Sequence, residues 1–230
     1  MSTTANVFQT LLESLFMPGS ELAGILGVTL KMAFISTSIS FLIGIAVGAP
    51  IGAGSFRGKK LLLNFTSTFL GFPPVLCGLV VFFLLSRSGP FGQYKLLYSV
   101  SAMIFAQILL ITPIVLHMTA TIVSECAPRM LETMQGLQFS RKKQLLMLLW
   151  ESRGALFSVY FLGFGRAISE VGAAQLVGGN VQFKTRVMTT AIVLETNRGN
   201  FAFALAIGIL LLVVSFCINL LARLLSRNTL

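Results

Sequence analysis

Charge is what this chain has least of. Only 10% of its 230 residues are charged, where a water-soluble domain carries about a quarter. That shortage excludes an ordinary soluble enzyme. Histidine is nearly absent as well: His117 is the only one. No cluster of His, Cys, Asp or Glu has metal-ligand spacing, and no Ser-His-acid set can be argued. The three cysteines, Cys77, Cys126 and Cys217, are odd in number and suggest neither a disulfide framework nor a metal site. No basic residue precedes Lys31, so a cleavable signal peptide is not expected. A nucleotide-binding loop is missing too. Gly54-Ser55-Phe56-Arg57-Gly58-Lys59-Lys60 has three residues between its glycines, whereas a phosphate-cradling loop needs four and a hydroxyl residue after its lysine. Nothing here predicts an enzyme.

What the chain has instead is apolar sequence. Hydrophobic residues make up 55% and gather in long blocks, and about 20 such residues span a bilayer as a helix. The reading is an all-α integral membrane protein with the bilayer as its surroundings. Five spans are predicted near 32–50, 61–85, 99–122, 154–177 and 201–222. They lie in a single transmembrane domain over 21–230. Ahead of it, residues 1–20 read as an interfacial amphipathic helix, or as one packed on neighbouring spans, with apolar positions Val7, Phe8, Leu11, Leu12, Leu15 and Phe16 stopped by Pro18-Gly19.

The net charge of +10 does not point to nucleic acid, because the basic residues sit in short loops. Arg57, Lys59, Lys60, Arg129, Arg141, Lys142, Lys143, Arg153, Arg223 and Arg227 fall on one side, against Arg87, Lys95, Lys184, Arg186 and Arg198 on the other. Cytoplasmic loops carry the excess, so the N-terminus is expected outside and the C-terminus in the cytoplasm. Five spans cannot be divided into two equal repeats, the plan of many self-sufficient carriers.

Within the spans, Gly44, Gly48 and Gly52 recur every fourth residue and allow close helix approach. The expected partner is another helix of the same subunit. Pro73-Pro74 interrupts the second block, either as a break lining a pathway or as a plain kink. Arg166 and Glu170 lie four apart in the fourth block. Each is costly in a membrane interior, and the spacing lets them pair. They either line a pathway or lock helices together. Residues 124–153 form the longest hydrophilic insertion, in which 132–141 is expected to be a short helix, either a solvated connector or a knob that docks in a partner's groove.

From about Thr29 onward the chain resembles the membrane permease subunit of ATP-binding-cassette importers, in the molybdate/sulfate/tungstate branch. Leu30-Lys31-Met32-Ala33, Phe72-Pro73-Pro74-Val75 through Ser88-Gly89-Pro90-Phe91-Gly92, and Gly165-Arg166-Ala167-Ile168-Ser169-Glu170-Val171-Gly172-Ala173 with Gly178-Gly179-Asn180 carry the likeness. Segment 132–141 resembles the family's coupling motif, Glu-Ala-Ala with a glycine six residues on, but departs from it, reading Glu132-Thr133-Met134 with Gln138 at the glycine position. Leu149-Trp150-Glu151-Ser152-Arg153 and Thr189-Thr190-Ala191-Ile192-Val193-Leu194-Glu195 look most like tungstate-type permeases.

The resemblance implies a type I importer permease in a bacterial or archaeal cytoplasmic (inner) membrane, carrying a tetrahedral oxyanion by alternating access. Tungstate is expected first, with molybdate, sulfate or vanadate as alternatives. A stand-alone carrier and a membrane-embedded enzyme are remote ones. It further implies a homodimer, two cytoplasmic ATPases holding ATP and Mg, and an extracytoplasmic binding protein. This chain would hold no cofactor or metal and would hydrolyse nothing. ATPase coupling would fall to Glu132, Thr133, Met134, Leu137, Gln138, Phe139, Ser140 and Arg141. The pathway candidates are Arg166, Glu170, Pro73 and Pro74. Lys184, Arg186 and Arg198 are candidates for docking the binding protein.

Overall fold

A computed structural model describes residues 21–227, and every regular element among them is helical. The helices are α1 (Glu21–Ala53), α2 (Lys59–Thr68), α3 (Pro74–Leu85), α4 (Val100–Gly136), α5 (Arg141–Glu151), α6 (Arg153–Ile168), α7 (Gly172–Gly178), α8 (Met188–Asn197) and α9 (Phe201–Arg227). The N-terminal interfacial helix expected over 1–20 lies outside the described residues. Three helices are long and apolar enough to cross a membrane, namely Glu21–Ala53, Val100–Met134 and Phe201–Leu220. The number rises to five if α2 with α3, and α5 with α6, each count as one interrupted span. Large apolar side chains such as Phe34, Leu42, Leu205 and Leu212 are exposed along these helices. In water they would be a liability; in hydrocarbon they need no cover.

Several expected boundaries are corrected. The helix of the third span continues past residue 122. Helix α4 runs 37 residues, with Pro113 and Pro128 inside it, so most of the hydrophilic insertion expected over 124–153 is helix. The segment 132–141 is not a helix of its own. Residues 132–136 finish α4, a turn follows, and α5 starts at Arg141. The fourth block is not one helix either, because α6 ends at Ile168 and α7 begins only at Gly172. At Pro73-Pro74 the backbone does break: Phe72 and Pro73 are extended (ψ 127° and 120°), and Pro74 opens α3. The missing proline N–H costs nothing in a helix's first turn.

Contacts divide the chain into two compact units, each discontinuous in sequence. The first comprises residues 21–36, 73–107 and 166–218. In it α3 lies tightly on α7, since a Cβ on Gly78 would sit 2.6 Å from Ala173 Cα and one on Gly172 2.6 Å from Val75 Cγ2. Around that seam Val81, Leu85, Ala102, Ala106, Ala173 and Val177 form a buried apolar cluster. A second cluster joins Met32, Met103, Ala174 and Val187. A third brings the start of α1 (Leu22, Ile25) to α8 and α9 (Met188, Ala191, Ala206, Ile207).

The second unit comprises residues 37–72, 108–165 and 219–227. Its centre is the glycine stripe of α1 pressed on α4. A Cβ at Gly44 would meet Val115 Cγ1 at 2.6 Å, at Gly48 the Leu116 carbonyl oxygen at 2.7 Å, and at Gly52 the Ala120 carbonyl oxygen at 2.5 Å. The stripe therefore packs within the subunit, as expected. His117 is half-buried with Nδ1 3.0 Å from Thr66 Oγ1, a hydrogen-bonded residue on α4. The glycine-lysine segment that imitates a phosphate loop ends a helix instead. Lys59 Nζ donates to the carbonyls of Gly52 and Gly54 at 2.6 and 3.0 Å, capping the negative end of α1.

Candidate functional site

Three groups of residues carry the chemistry. The first is the interruption between α6 and α7, in the first unit. Glu170 is almost wholly buried there, with its side chain 1% exposed. One carboxylate oxygen, Oε2, lies 3.0 Å from Arg166 Nη1. The other, Oε1, accepts the Ala173 N–H at 3.0 Å, inside the first turn of α7. That bond explains why the helix stops. The first N–H groups of a helix lack internal partners, and a carboxylate satisfies them only from a non-helical position ahead of them. The expected single helical turn between Arg166 and Glu170 is thus replaced by a break, yet the pair survives it.

The node extends further. Thr189 Oγ1 on α8 donates to the Glu170 carbonyl at 2.8 Å. Gln107 Nε2 on α4 donates to the Ala167 carbonyl at 2.9 Å, and Ser36 Oγ on α1 donates to Gln107 Oε1 at 2.6 Å. One buried network thereby ties α1, α4, α6, α7 and α8. Sequence reasoning missed Ser36 and Gln107, and gave Thr189 no bonding role. An amide inside an apolar block was the available signal for Gln107, since a buried amide must find partners. Arg166 keeps 31% of its side chain exposed. Of the two expected roles, the geometry of Glu170 is that of a lock, while Arg166 presents a partly open cationic group. Pro73 is exposed and Pro74 half-buried; Cys77 N–H bonds the Pro73 carbonyl at 3.2 Å.

The second group is the turn after α4, in the second unit. Gln138 has φ 56°, the left-handed region that favours glycine. Phe139 N–H reaches back to the Met134 carbonyl at 3.0 Å and Leu137 N–H to Thr133 at 3.1 Å. The 139-to-134 bond around a left-handed residue is the pattern by which helices commonly end, usually on glycine. The glycine of the coupling motif thus has a conformational reason, and this chain places glutamine in the same backbone shape. Met134 is buried, whereas Glu132, Thr133, Leu137, Gln138, Ser140 and Arg141 are exposed. Phe139 is half-buried beneath Lys143, whose Nζ lies 3.9 Å from the ring centroid.

The third group holds the cations Lys184, Arg186 and Arg198, in the first unit. Arg186 is not a free steering charge. Its guanidinium is paired with Glu21, leaving 12% of the side chain exposed, and also reaches Asn180 Oδ1 at 3.3 Å. Arg198 is 61% exposed but bonded to Glu195 at 2.9 Å. Lys184 is exposed. Sequence reasoning did not single out Glu21, and it gave Glu195 no part in an ion pair. Among the described residues no group of three His, Cys, Asp or Glu side chains could hold a metal.

Residues 20–230 match the family of binding-protein-dependent transport system inner membrane components. The chain belongs to this family. It is 36% identical over 173 residues to the tungstate uptake system permease protein TupB of Campylobacter jejuni, covering 75% of this chain and 72% of that protein. To TupB of Peptoclostridium acidaminophilum it is 33% identical over 219 residues, 95% of this chain and 96% of that one. A probable anion ABC transporter permease protein of Haloferax volcanii is 33% identical over 203 residues, 86% and 88% of the two chains. Sulfate transport system permeases match at lower identity. As a member of this family the chain is a multi-pass permease subunit of an ABC importer. Its part in the system is translocation rather than catalysis.

Proposed function

We propose that the chain carries tungstate into the cytoplasm as the permease of an ATP-driven importer, working by alternating access. The observation that carries this reading is the likeness to a tungstate uptake permease over 95% of the chain. In it, the protein is a homodimer of type I importer subunits with five spans each, the pairs α2/α3 and α5/α6 each serving as one interrupted span. The N-terminus is outside and the C-terminus in the cytoplasm, as the loop charges favour. Two ATPase subunits bind ATP and Mg, and a binding protein delivers the oxyanion from outside.

Coupling is assigned to Glu132, Thr133, Met134, Leu137, Gln138, Phe139, Ser140 and Arg141, which form the end of α4, the turn after it and the start of α5. ATP binding would draw the two turns together and switch the dimer between inward-open and outward-open states. Nucleotide can switch them only if the states differ by a few kcal/mol. Arg166 is the cationic group that compensates the anion on its way, while Glu170 holds the helix break beside it. Pro73 contributes extended backbone to the pathway wall and Pro74 opens the helix that follows it, and exposed Lys184 and Arg198 steer the binding protein.

The test is uptake into proteoliposomes that contain the permease, its ATPase and its binding protein. ATP-dependent tungstate uptake, inhibited more by tungstate than by molybdate, sulfate or vanadate, is expected. Uptake without ATPase would mean a stand-alone carrier, and sulfate preference would assign the substrate elsewhere in the branch. Phe139→Asp is expected to abolish ATP-driven uptake while leaving the purified subunit folded. Retained uptake would remove the coupling role from this turn.

A further inference from the structure

The segment joining α3 to α4, residues 86–99, carries two cations that the transport reading does not use. Arg87 and Lys95 are both exposed, and among the described residues neither side chain has an ion-pair or hydrogen-bond partner. No acidic residue occurs in the segment. The two cations share an open cleft of about 840 Å³ with Gln93, Leu97 and Tyr98. Leu85, which forms one wall of this cleft, is also a wall of a second groove of about 410 Å³. That groove is lined by Phe91, Tyr94, Leu96, Ala102 and Phe105 and is almost wholly apolar.

The place of the groove narrows the occupant. Helix α3 ends at Leu85 and α4 begins at Val100, so the segment lies where two apolar helices leave the bilayer. Phe91 and Tyr94 pair there with ring centroids 6.5 Å apart, the kind of side chain enriched at membrane–water boundaries. Phe105 is five residues into α4, roughly 7.5 Å along its axis. The apolar groove therefore leads from the boundary toward hydrocarbon, where a water-soluble partner cannot follow. The cationic cleft lies at its wet end.

The cleft is also built rather than incidental. Lys95 and Tyr98 have φ 49° and 61°, a backbone shape that costs free energy outside glycine and persists only when the surroundings impose it. Tyr98 is held by its N–H on the Val177 carbonyl at 2.9 Å. Its ring packs where a Cβ on Gly179 would lie 2.6 Å from Tyr98 Cδ1.

We propose that this composite cleft binds one anionic phospholipid, with an acyl chain in the Phe91–Phe105 groove and the phosphate between Arg87 and Lys95. The chemistry is complementary at both ends: an anionic, polar headgroup meets unpaired cations, and a hydrocarbon chain meets a dry groove. The binding would hold segment 86–99 against α7 from the membrane side, whichever ion the importer carries.

Native mass spectrometry of the detergent-solubilised permease, titrated with phosphatidylglycerol or phosphatidylcholine of identical chains, tests it. One tightly retained phosphatidylglycerol per copy is expected, with phosphatidylcholine lost first. Each basic side chain near an anionic headgroup is worth roughly fivefold in affinity, so Arg87→Gln with Lys95→Gln should erase the preference. Ser101→Trp, at an exposed position on the groove wall, should weaken retention of both lipids. Glycerophosphoglycerol, the headgroup without chains, should not compete. Equal retention of the two lipids by the native chain would overturn the proposal. So would an unchanged preference in the double variant, or displacement by the free headgroup. Thermal melting of each variant separates loss of the site from loss of the fold.

Discussion

The two units differ in how some of their buried polar side chains are satisfied. In the first, Ser36, Gln107, Glu170 and Thr189 are buried and bonded across helices. In the second, the hydroxyls of Thr37, Thr112, Thr119 and Ser152 are buried with no hydrogen-bond partner, and close glycine packing joins α1 to α4. An unmade hydrogen bond in a dry interior costs free energy, whereas a made one fixes geometry more than it stabilises. The first unit is thus specified by direction, through donors and acceptors that admit one arrangement. The second leans more on shape, although Ser38 still bonds Tyr160 and Thr66 bonds His117 across its helices.

The strongest way to break this contrast is Glu170→Ala. It strands Arg166 and frees the α7 N-terminus, and should lower stability by about 3 kcal/mol or more. Chemical denaturation in detergent would read the loss; an unchanged midpoint would deny the node its importance. Gly48→Val attacks the other unit by placing atoms against the Leu116 carbonyl. Overpacking of this kind costs about 1–3 kcal/mol, visible as a lower melting temperature. Matched isosteric changes then sharpen the comparison. Thr189→Val removes a made bond and should destabilise by about 1 kcal/mol, whereas Thr119→Val removes an unmade one and should be neutral or stabilising. Equal costs would erase the distinction. The smallest effect is expected at Gln138→Gly, which relieves a left-handed glutamine and should gain about 0.5–1 kcal/mol.

Much of the fold was legible because long apolar blocks are a direct record of helices. The close approach of α1 at Gly44, Gly48 and Gly52 was readable for a similar reason, since side chains of zero size at a four-residue period have few other uses. The break at Pro73-Pro74 follows from a missing donor. The break at Glu170 did not announce itself. Ser169, Glu170 and Val171 carry no strong stop signal, and only the carboxylate's reach to Ala173 N–H makes interruption favourable. Gln138 hid its turn because glutamine is an ordinary helix former; the glycine expected there by resemblance was the one clue. Glu21 and Arg186 stand 165 residues apart, and no local pattern links them. Arg186 therefore looked like a free cation until its partner was visible.

The stripe on α1 has an asymmetric consequence. At Gly48 and Gly52 the nearest atoms across the seam are carbonyl oxygens of Leu116 and Ala120, which every amino acid possesses. Exchanging the side chain at 116 or 120 would leave those two touching points in place, while almost any exchange at 48 or 52 would prise them open. Tolerance to genetic drift should therefore differ sharply between the opposing faces of a single joint.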